Sequence, residues 1–423
     1  MLKALMKSHM QWKIYFSFFL LGLIMAFAQA PFNFSFIYFF TIPIIGLYLR
    51  NLREKKISFK IGWWTAFGYF GFTMIWIVEP FLIEPAITGW LAPFALVLMA
   101  GGLAVFWALA FYVAVWFTSE GKFRVIFLAL SWTFFEYLRS FIFTGFPWGH
   151  LSYGLLGLPI IQVVAWFGIH GLGLIVIIIC FMPAICSPRI KTGLVLMLSF
   201  LLIFTLIGLW RSNGEILSNS RNIIVRVVQP NATQNLKWRK DMLKVFYTKQ
   251  LAYTGIKNTK SPNVVIWPET AISRLLKDSG EIIKEISNTA GPNTSLITGI
   301  VRRENNKSRN SLILVNERGD LGTIFDKQHL VPFGEYMPMA YLLRNIGLSS
   351  LIGFVGNFES GNGPRIIQSE NLPNFLALIC YESIFPNYSN NIESRADWIV
   401  HITNDAWFGN FSGPYQHLSL IHI

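Results

Sequence analysis

Charge is the scarcest property of this 423-residue chain: Asp, Glu, Lys and Arg make 13% of it, against 53% hydrophobic residues. An ordinary soluble domain is nearer a quarter charged, so the composition excludes a freely soluble protein over its whole length and implies a bilayer. Cysteine is also scarce, at 3 residues, an odd number. Cys180 and Cys186 fall in or beside an apolar segment. Cys380 is therefore alone after residue 210, and no disulfide can staple that half to itself. The histidines are scattered, without metal-ligating helical spacing, and there is no phosphate-cradling Gly loop, internal repeat or low-complexity tract. No metal and no other cofactor is expected.

The net charge of +13 resembles that of a nucleic-acid binder, but its distribution argues otherwise. Residues 1–210 carry 13 Lys+Arg against 5 Asp+Glu, and residues 211–423 carry 22 against 17. No aromatic-rich basic motif accompanies the excess, so no nucleic-acid partner is expected. Basic loops at a membrane explain it more simply.

What the first half has is apolar length. About seven stretches can cross roughly 30 Å of hydrocarbon: 12–30, 34–49, 61–83, 87–117, 123–143, 159–186 and 192–210. Pro31 and a second apolar run directly after Ala28–Ala30 favour a retained first helix over a cleaved signal. Lys3, Lys7 and Lys13, then Arg50, Arg53, Lys55, Lys56 and Lys60, then Lys122 and Arg124, then Arg189 and Lys191 occupy alternate loops. The positive-inside rule places those loops in the cytoplasm, and an odd number of crossings places everything after Trp210 outside it.

Arg139 is the basic residue of this half that the rule leaves over. It stands three residues after Glu136, so on a helix the two can pair. Two readings are open: an intramembrane functional charge, or an ion pair near the outer interface with the arginine snorkelling toward headgroups. The uncharged loop Phe143–Gly154 that follows is read either as an interfacial lipid contact or as an aromatic belt anchor.

Past Arg211 the pattern is that of an α/β sandwich. Apolar, β-branched runs recur at Ile223–Val228, Val264–Trp267, Ser295–Val301, Ser311–Val315, Thr323–Phe325, Phe375–Ile379 and Trp398–Ile402. Helical patterns span 239–257 and 278–289. Three of the runs stop at reactive side chains: Glu269 after Trp267-Pro268, Lys327 after Asp326, and Cys380 after Ile379. A cysteine nucleophile needs a base for its proton and a cation for its thiolate, which Glu and Lys can supply. Exposed Glu and Lys at strand ends are common, and free Cys is often simply buried. Spacing alone does not bring the three together.

Four motifs carry a resemblance: W-P-E-T at Trp267–Thr270, D-K-x-H-L-V-P-F-G-E-Y at Asp326–Tyr336, C-Y-E at Cys380–Glu382 and T-N-D-A-W-F-G at Thr403–Gly409. Together they resemble the carbon–nitrogen hydrolase (nitrilase) superfamily. With the multi-spanning half and G-F-P-W-G at Gly145–Gly149, the chain resembles the apolipoprotein N-acyltransferases of bacterial inner membranes. The resemblance implies a multi-pass helical domain, 1–210, and a periplasmic α-β-β-α sandwich, 211–423.

It also implies a catalytic triad of Glu269 as base, Lys327 as oxyanion stabiliser and Cys380 as nucleophile, with the Tyr381 amide assisting. Glu335 and Glu382 fall at essential carboxylates of the family, and Trp238 at a substrate-region tryptophan; read by itself, Trp238 is a packing residue at a helix start. The implied reaction is ping-pong: a phospholipid acylates the cysteine, and the acyl group passes to the α-amino group of an S-diacylglyceryl cysteine on an apolipoprotein. This is the last step of lipoprotein maturation, and a monomer among membrane lipids is expected. An apolar mouth between the domains, lined by Phe333 and residues 339–358, is expected to exclude water.

The family continues beyond G-P-Y-Q-H at Gly413–His417 with more sandwich and a final membrane helix, whereas this chain ends at Ile423. A product shortened there is expected to leave sheet edges unpaired and to be poorly active or inactive. Two rival functions are a membrane-tethered amidase with the same triad and a transporter or receptor. The second predicts polar residues lining a path, yet Glu136 and Arg139 are nearly the only charges inside the spans.

Overall fold

The computed structural model describes residues 2–214, 222–257, 260–345, 356–385 and 395–421, with side chains from Met10 onward except those of 342 and 343. The chain forms two compact units, Met1–Leu217 with Phe408–Ile423, and Ser218–Trp407. The sequence-based boundary put everything after residue 210 in one domain. The structure instead groups Phe408–Ile423 with the helical unit, where the Phe408 ring lies 5.0 Å from Trp76 and 5.5 Å from Trp148.

The helical unit contains α1 (Leu2–Ala26), α2 (Tyr38–Leu49), α3 (Lys55–Thr73), the one-turn α4 (Pro85–Thr88), α5 (Ala92–Phe117), α6 (Lys122–Arg139), α7 (Val164–Ile185) and α8 (Ile190–Ser212). Each of the seven apolar stretches is thus helical. Among the described residues, three helical segments are long and apolar enough to cross a membrane: Pro85–Phe117, Pro159–Ile185 and Ile190–Ser212. A fourth arises if Lys55–Thr73 and Ile75–Leu82, bent by 46°, form one span. Met10–Ala26 and Ser35–Leu49 are apolar but shorter, and α6 carries Lys122, Arg124, Glu136 and Arg139. Small residues let the helices touch: a methyl on Gly22 of α1 would fall 1.8 Å from the Thr65 carbonyl oxygen of α3, and one on Gly68 would fall 2.1 Å from that of Phe19.

Arg139 does not snorkel. Its side chain is 1% exposed and forms a two-bond ion pair with Glu136, Nε to Oε1 at 3.1 Å and Nη2 to Oε2 at 2.7 Å. Trp107 Nε1 donates to Oε1 at 2.7 Å, and Arg139 Nη1 donates to the Phe146 and Trp148 carbonyls at 2.5 and 2.7 Å. The pair therefore templates the Gly-rich loop. That loop is neither a lipid contact nor a belt anchor over most of its length, since Trp148, His150 and Tyr153 are all buried and only its start, Phe143 and Thr144, is exposed. Trp148 Nε1 in turn donates to Gln416 of the C-terminal helix at 2.7 Å, and Gln416 Nε2 donates to the Ala30 carbonyl at 3.1 Å.

Removing one partner of a buried pair leaves an uncompensated charge, at about 3–5 kcal/mol. Arg139→Met is thus expected to lower the thermal unfolding midpoint in detergent strongly, and Glu136→Leu/Arg139→Met to recover part of the loss. A double variant less stable than both singles would contradict this account.

The second unit is layered. Strands β1 (Val225–Val227), β2 (Val264–Ile266), β3 (Ile272–Leu275), β4 (Ser295–Glu304), β5 (Lys307–Val315) and β6 (Leu321–Asp326) form one sheet in the order β1-β2-β4-β5-β6, with β3 beside β4. Strands β7 (Ile366–Ile367), β8 (Phe375–Ile379) and β9 (Trp398–Ile402) form the other. Period-two alternation sends the large sheet's side chains to opposite faces. Val264, Ile266, Ile297, Leu312 and Leu314 meet Phe375, Ala377, Ile379, Val400 and Ile402 of the small sheet. Val265, Leu296, Ile300, Ile313 and Val315 point the other way and meet α11 (Gly280–Ala290) through Ile283 and Ile286 and α10 (Lys240–Thr254) through Tyr247 and Leu251. Burial on both faces is why these strands read as continuous apolar runs.

Candidate active site

Four strand ends converge in the sandwich unit. β2 ends at Ile266 and the chain turns through Trp267 and Pro268 to Glu269. Trp267 is fully buried and anchored by its Nε1, which donates to Thr254 Oγ1 at 2.9 Å. Thr270 sits at φ +46°, a left-handed conformation unusual for a β-branched residue. The turn lies flat on Gly299 of β4, where a Cβ would come within 2.4 Å of the Thr270 nitrogen. β6 ends at Asp326, whose carboxylate accepts from Arg302 Nε and Ser311 Oγ, each at 2.7 Å, and from Arg309 Nη1 at 3.3 Å. That fixes the strand end from which Lys327 projects.

Lys327 is 1% exposed, and its Nζ lies 2.9 Å from Glu335 Oε1 and 3.6 Å from Glu269 Oε1. Burial opposes its charge, but the Glu335 and Glu269 carboxylates and the nearby Cys380 outweigh it and push the ammonium above its ordinary pKa. Lys327 is held as a cation. Asn310 Nδ2 of β5 bridges the carboxylates, donating to Glu269 Oε1 at 2.7 Å and Glu335 Oε1 at 3.2 Å. The backbone N–H of Asn404, beyond β9, donates to Glu269 Oε2 at 3.0 Å, and that of Val331 to Glu335 Oε2 at 2.8 Å.

Cys380 follows β8 at φ +51°, so the chain bends sharply there. Its carbonyl oxygen lies 3.0 Å from His401 Nε2 on β9, and its thiol bonds with the Thr403 side chain. Burial raises the thiol pKa, Glu269 adds to the rise, and Lys327 and Thr403 oppose it. The resting sulfur keeps its proton and needs a base to become nucleophilic. Glu382, fully buried, accepts from the backbone N–H of Gln328 at 2.7 Å, His329 at 3.3 Å and Ile379 at 2.7 Å. One carboxylate thereby ties the residues after Lys327 to the residue before Cys380.

The remaining sequence candidates also find places. Tyr381 is buried, its ring 5.2 Å from Phe385. Trp238 is 48% exposed, more than a helix-start packing residue would be, with Lys237 Nζ 5.5 Å from its ring centroid. Phe333 and Met339 are exposed at positive φ, 62° and 52°, and Tyr341 is exposed too. Of the expected mouth, 346–355 lies outside the described residues.

Four contributors escaped sequence reasoning: Asn310, Asn404, Gln234 and Lys237. Asn404 stands inside the T-N-D motif, and Lys237 directly precedes Trp238, so each lay in or next to a position already singled out. Gln234 Oε1 accepts from Asn404 Nδ2 at 2.8 Å. Lys237 Nζ, from the one-turn α9 (Gln234–Lys237), donates to the Glu269 carbonyl at 3.1 Å and to Thr270 Oγ1 at 2.7 Å. Burial lowers the Lys237 pKa to about 8, against the pull of Glu269 and Cys380.

Comparison with known proteins places the chain in a family. Residues 21–182 match the apolipoprotein N-acyltransferase N-terminal domain, and residues 224–422 match the carbon-nitrogen hydrolase domain. The apolipoprotein N-acyltransferase of Brucella melitensis is 31% identical over 96% of this chain and 81% of its own length. That of Brucella suis is 32% identical at the same coverage, and that of Rhodopseudomonas palustris 32% identical over 94% of this chain and 79% of its own. The chain is therefore a membrane enzyme of the apolipoprotein N-acyltransferase family, built as a helical unit joined to a carbon–nitrogen hydrolase sandwich.

Proposed function

We propose that this enzyme takes an acyl chain from a phospholipid onto Cys380 and passes it to the α-amino group of an S-diacylglyceryl cysteine at a lipoprotein N-terminus. The observation that carries the reading is the buried charge cluster around the thiol: Lys327 stands 3.6 Å from Glu269 and 2.9 Å from Glu335, and both Glu269 and Lys327 act on the Cys380 sulfur. In the first half-reaction Glu269 takes the thiol proton and the thiolate attacks the ester carbonyl. Lys327 and the Tyr381 amide steady the tetrahedral oxyanion. The intermediate collapses, the lysophospholipid alkoxide leaves with the proton held by Glu269, and a thioester remains. In the second half-reaction the amine attacks the thioester and gives its proton to Glu269. The Cys380 thiolate departs and is reprotonated.

Glu335 orients Lys327 in this scheme, Glu382 sets the spacing of the lysine and cysteine loops, and Trp238 contacts substrate. Exposed Phe333, Met339 and Tyr341 offer acyl chains an apolar surface. Substrates anchored in a bilayer suit an enzyme with membrane helices, because tethering removes a bimolecular search. The basic-loop pattern supports an inner-membrane enzyme with its sandwich on the periplasmic side.

The test is intact mass. After incubation with phosphatidylethanolamine in mixed micelles, the purified chain is expected to gain the mass of one acyl group, and to lose it when a diacylated lipopeptide is added. An acyl-enzyme that forms but is discharged only by water would replace the transferase with a hydrolase. Failure to gain acyl mass would remove the phospholipid donor.

A further inference from the structure

Lys237 has no place in the scheme above, yet it is a largely buried cation at the edge of the reacting cluster. Its ammonium donates to the main-chain carbonyl of Glu269 and to the Thr270 hydroxyl, at 3.1 and 2.7 Å. Those are the two residues of the turn that presents the base. The turn needs such a tie, because Thr270 is left-handed at φ +46° and a β-branched residue resists that conformation. Charge gives a second argument. Glu269 and Glu335 bring two carboxylates into the site, and Lys327 compensates one. Lys237 supplies the second ammonium, and its charge interacts with Glu269 and with the Cys380 sulfur.

We propose that Lys237 is a positioning residue of acyl transfer, closing the turn that holds Glu269 and setting a second positive charge beside the Cys380 sulfur. The inference rests on the acyl-enzyme reading above. The titratable groups around its Nζ are Glu269 and Cys380, with Lys327 and Glu335 beyond Glu269. When Glu269 takes the thiol proton, negative charge moves from the carboxylate to the sulfur and then to the substrate oxygen. A cation fixed to the backbone of Glu269 stays near all three positions without rearranging, as preorganised electrostatics require. Burial brings the Lys237 pKa down to about 8. The charge is therefore present below that pH and is lost as pH rises through it, taking the assistance with it.

The experiment follows Cys380 itself, in the full chain in detergent. Iodoacetamide alkylation at Cys380 is read by peptide mass as a rate at about pH 7 and about pH 9.5, and acyl-adduct formation from phosphatidylethanolamine is read in parallel at about pH 7. Lys237→Met is expected to slow alkylation at pH 7 by about ten-fold and adduct formation on the order of ten-fold or more, and to alkylate close to the native rate at about pH 9.5, where Lys237 has already lost its charge. Lys237→Arg keeps the charge and is expected to restore most of both rates at pH 7. Thr270→Val removes one acceptor but no charge, so alkylation at pH 7 should stay native while the adduct forms a few-fold more slowly. A native alkylation rate at pH 7 in Lys237→Met, or Lys237→Arg as impaired as Lys237→Met, would overturn the proposal. Should Lys237→Met fail to fold, the Lys237→Arg and Thr270→Val pair still decides, since slowed alkylation in Thr270→Val contradicts a role carried by charge. A native chain that forms no acyl adduct while Lys237→Met still slows alkylation at pH 7 would sustain Lys237 and overturn the phospholipid donor.

Discussion

Cys380→Ala is expected to abolish acyl transfer, on the order of 10⁴-fold or more, while the chain stays folded. In the proposed reaction the sulfur is the atom on which the acyl chain is carried, and the nearby Lys237 is engaged elsewhere, its Nζ donating to the Glu269 carbonyl and to Thr270 Oγ1. Lys327 is held as a cation by Glu335 and Glu269, and the carboxylates are engaged by Asn310 and backbone N–H groups. Structurally the change is small. Cys380 is 5% exposed within the core between the sheets, so losing one sulfur opens a cavity smaller than a methionine-to-alanine change would, at about 1–2 kcal/mol. Alanine meets the same cost as cysteine at φ +51°. Differential scanning fluorimetry should show a modest decrease in unfolding temperature, and intact mass should show no acyl adduct. An adduct of native stoichiometry on Cys380→Ala would transfer the nucleophile's role elsewhere.

The chain disclosed more of its site than of its layout. Glu269, Lys327 and Cys380 each stand just past an apolar run, so their placement at strand ends could be read from period and punctuation. Their convergence could not, because it depends on register: β2, β4, β5 and β6 lie side by side, and β8 and β9 stack on them with Ile379 and Ile402 facing Ile266 and Leu312. Short strands were illegible for a simpler reason. β3 reads Ile-Ser-Arg-Leu with only Ile272 buried, and β7 is two residues long, so neither has enough period to be seen. The Glu136–Arg139 pair was legible from its i,i+3 spacing, but its acceptors at Phe146 and Trp148 were not, since backbone carbonyls leave no mark in a sequence. Asn310 was hidden likewise: within the polar stretch Lys307–Ser311 that precedes the apolar run it looks like a solvent-facing position until its partners are known.

The second large effect is expected at Glu382, whose carboxylate holds the backbone beside Lys327 and the backbone beside Cys380. Its Oε1 holds the N–H groups of Gln328 and His329, and its Oε2 holds that of Ile379. Glu382→Ala would strand these three donors in a fully buried place, and each unpaired group costs about 1–3 kcal/mol. That is a large share of a typical domain's stability, and Glu382→Ala is expected to unfold early or not to accumulate. Glu382→Gln is the sharper probe. An amide offers one acceptor oxygen, so it can serve the Lys327 side or the Cys380 side, while its NH₂ opposes a backbone donor on the other. The fold should survive with a lowered unfolding temperature. The spacing of lysine and sulfur should not, and a displacement near 1 Å costs about 10²-fold in rate. The expected result is therefore a folded Glu382→Gln chain that forms its acyl adduct at least about a hundred-fold more slowly than the native one. A variant that is destabilised but acylates at the native rate would show that Glu382 supports the core alone and that the spacing of the two loops is set by the sheets.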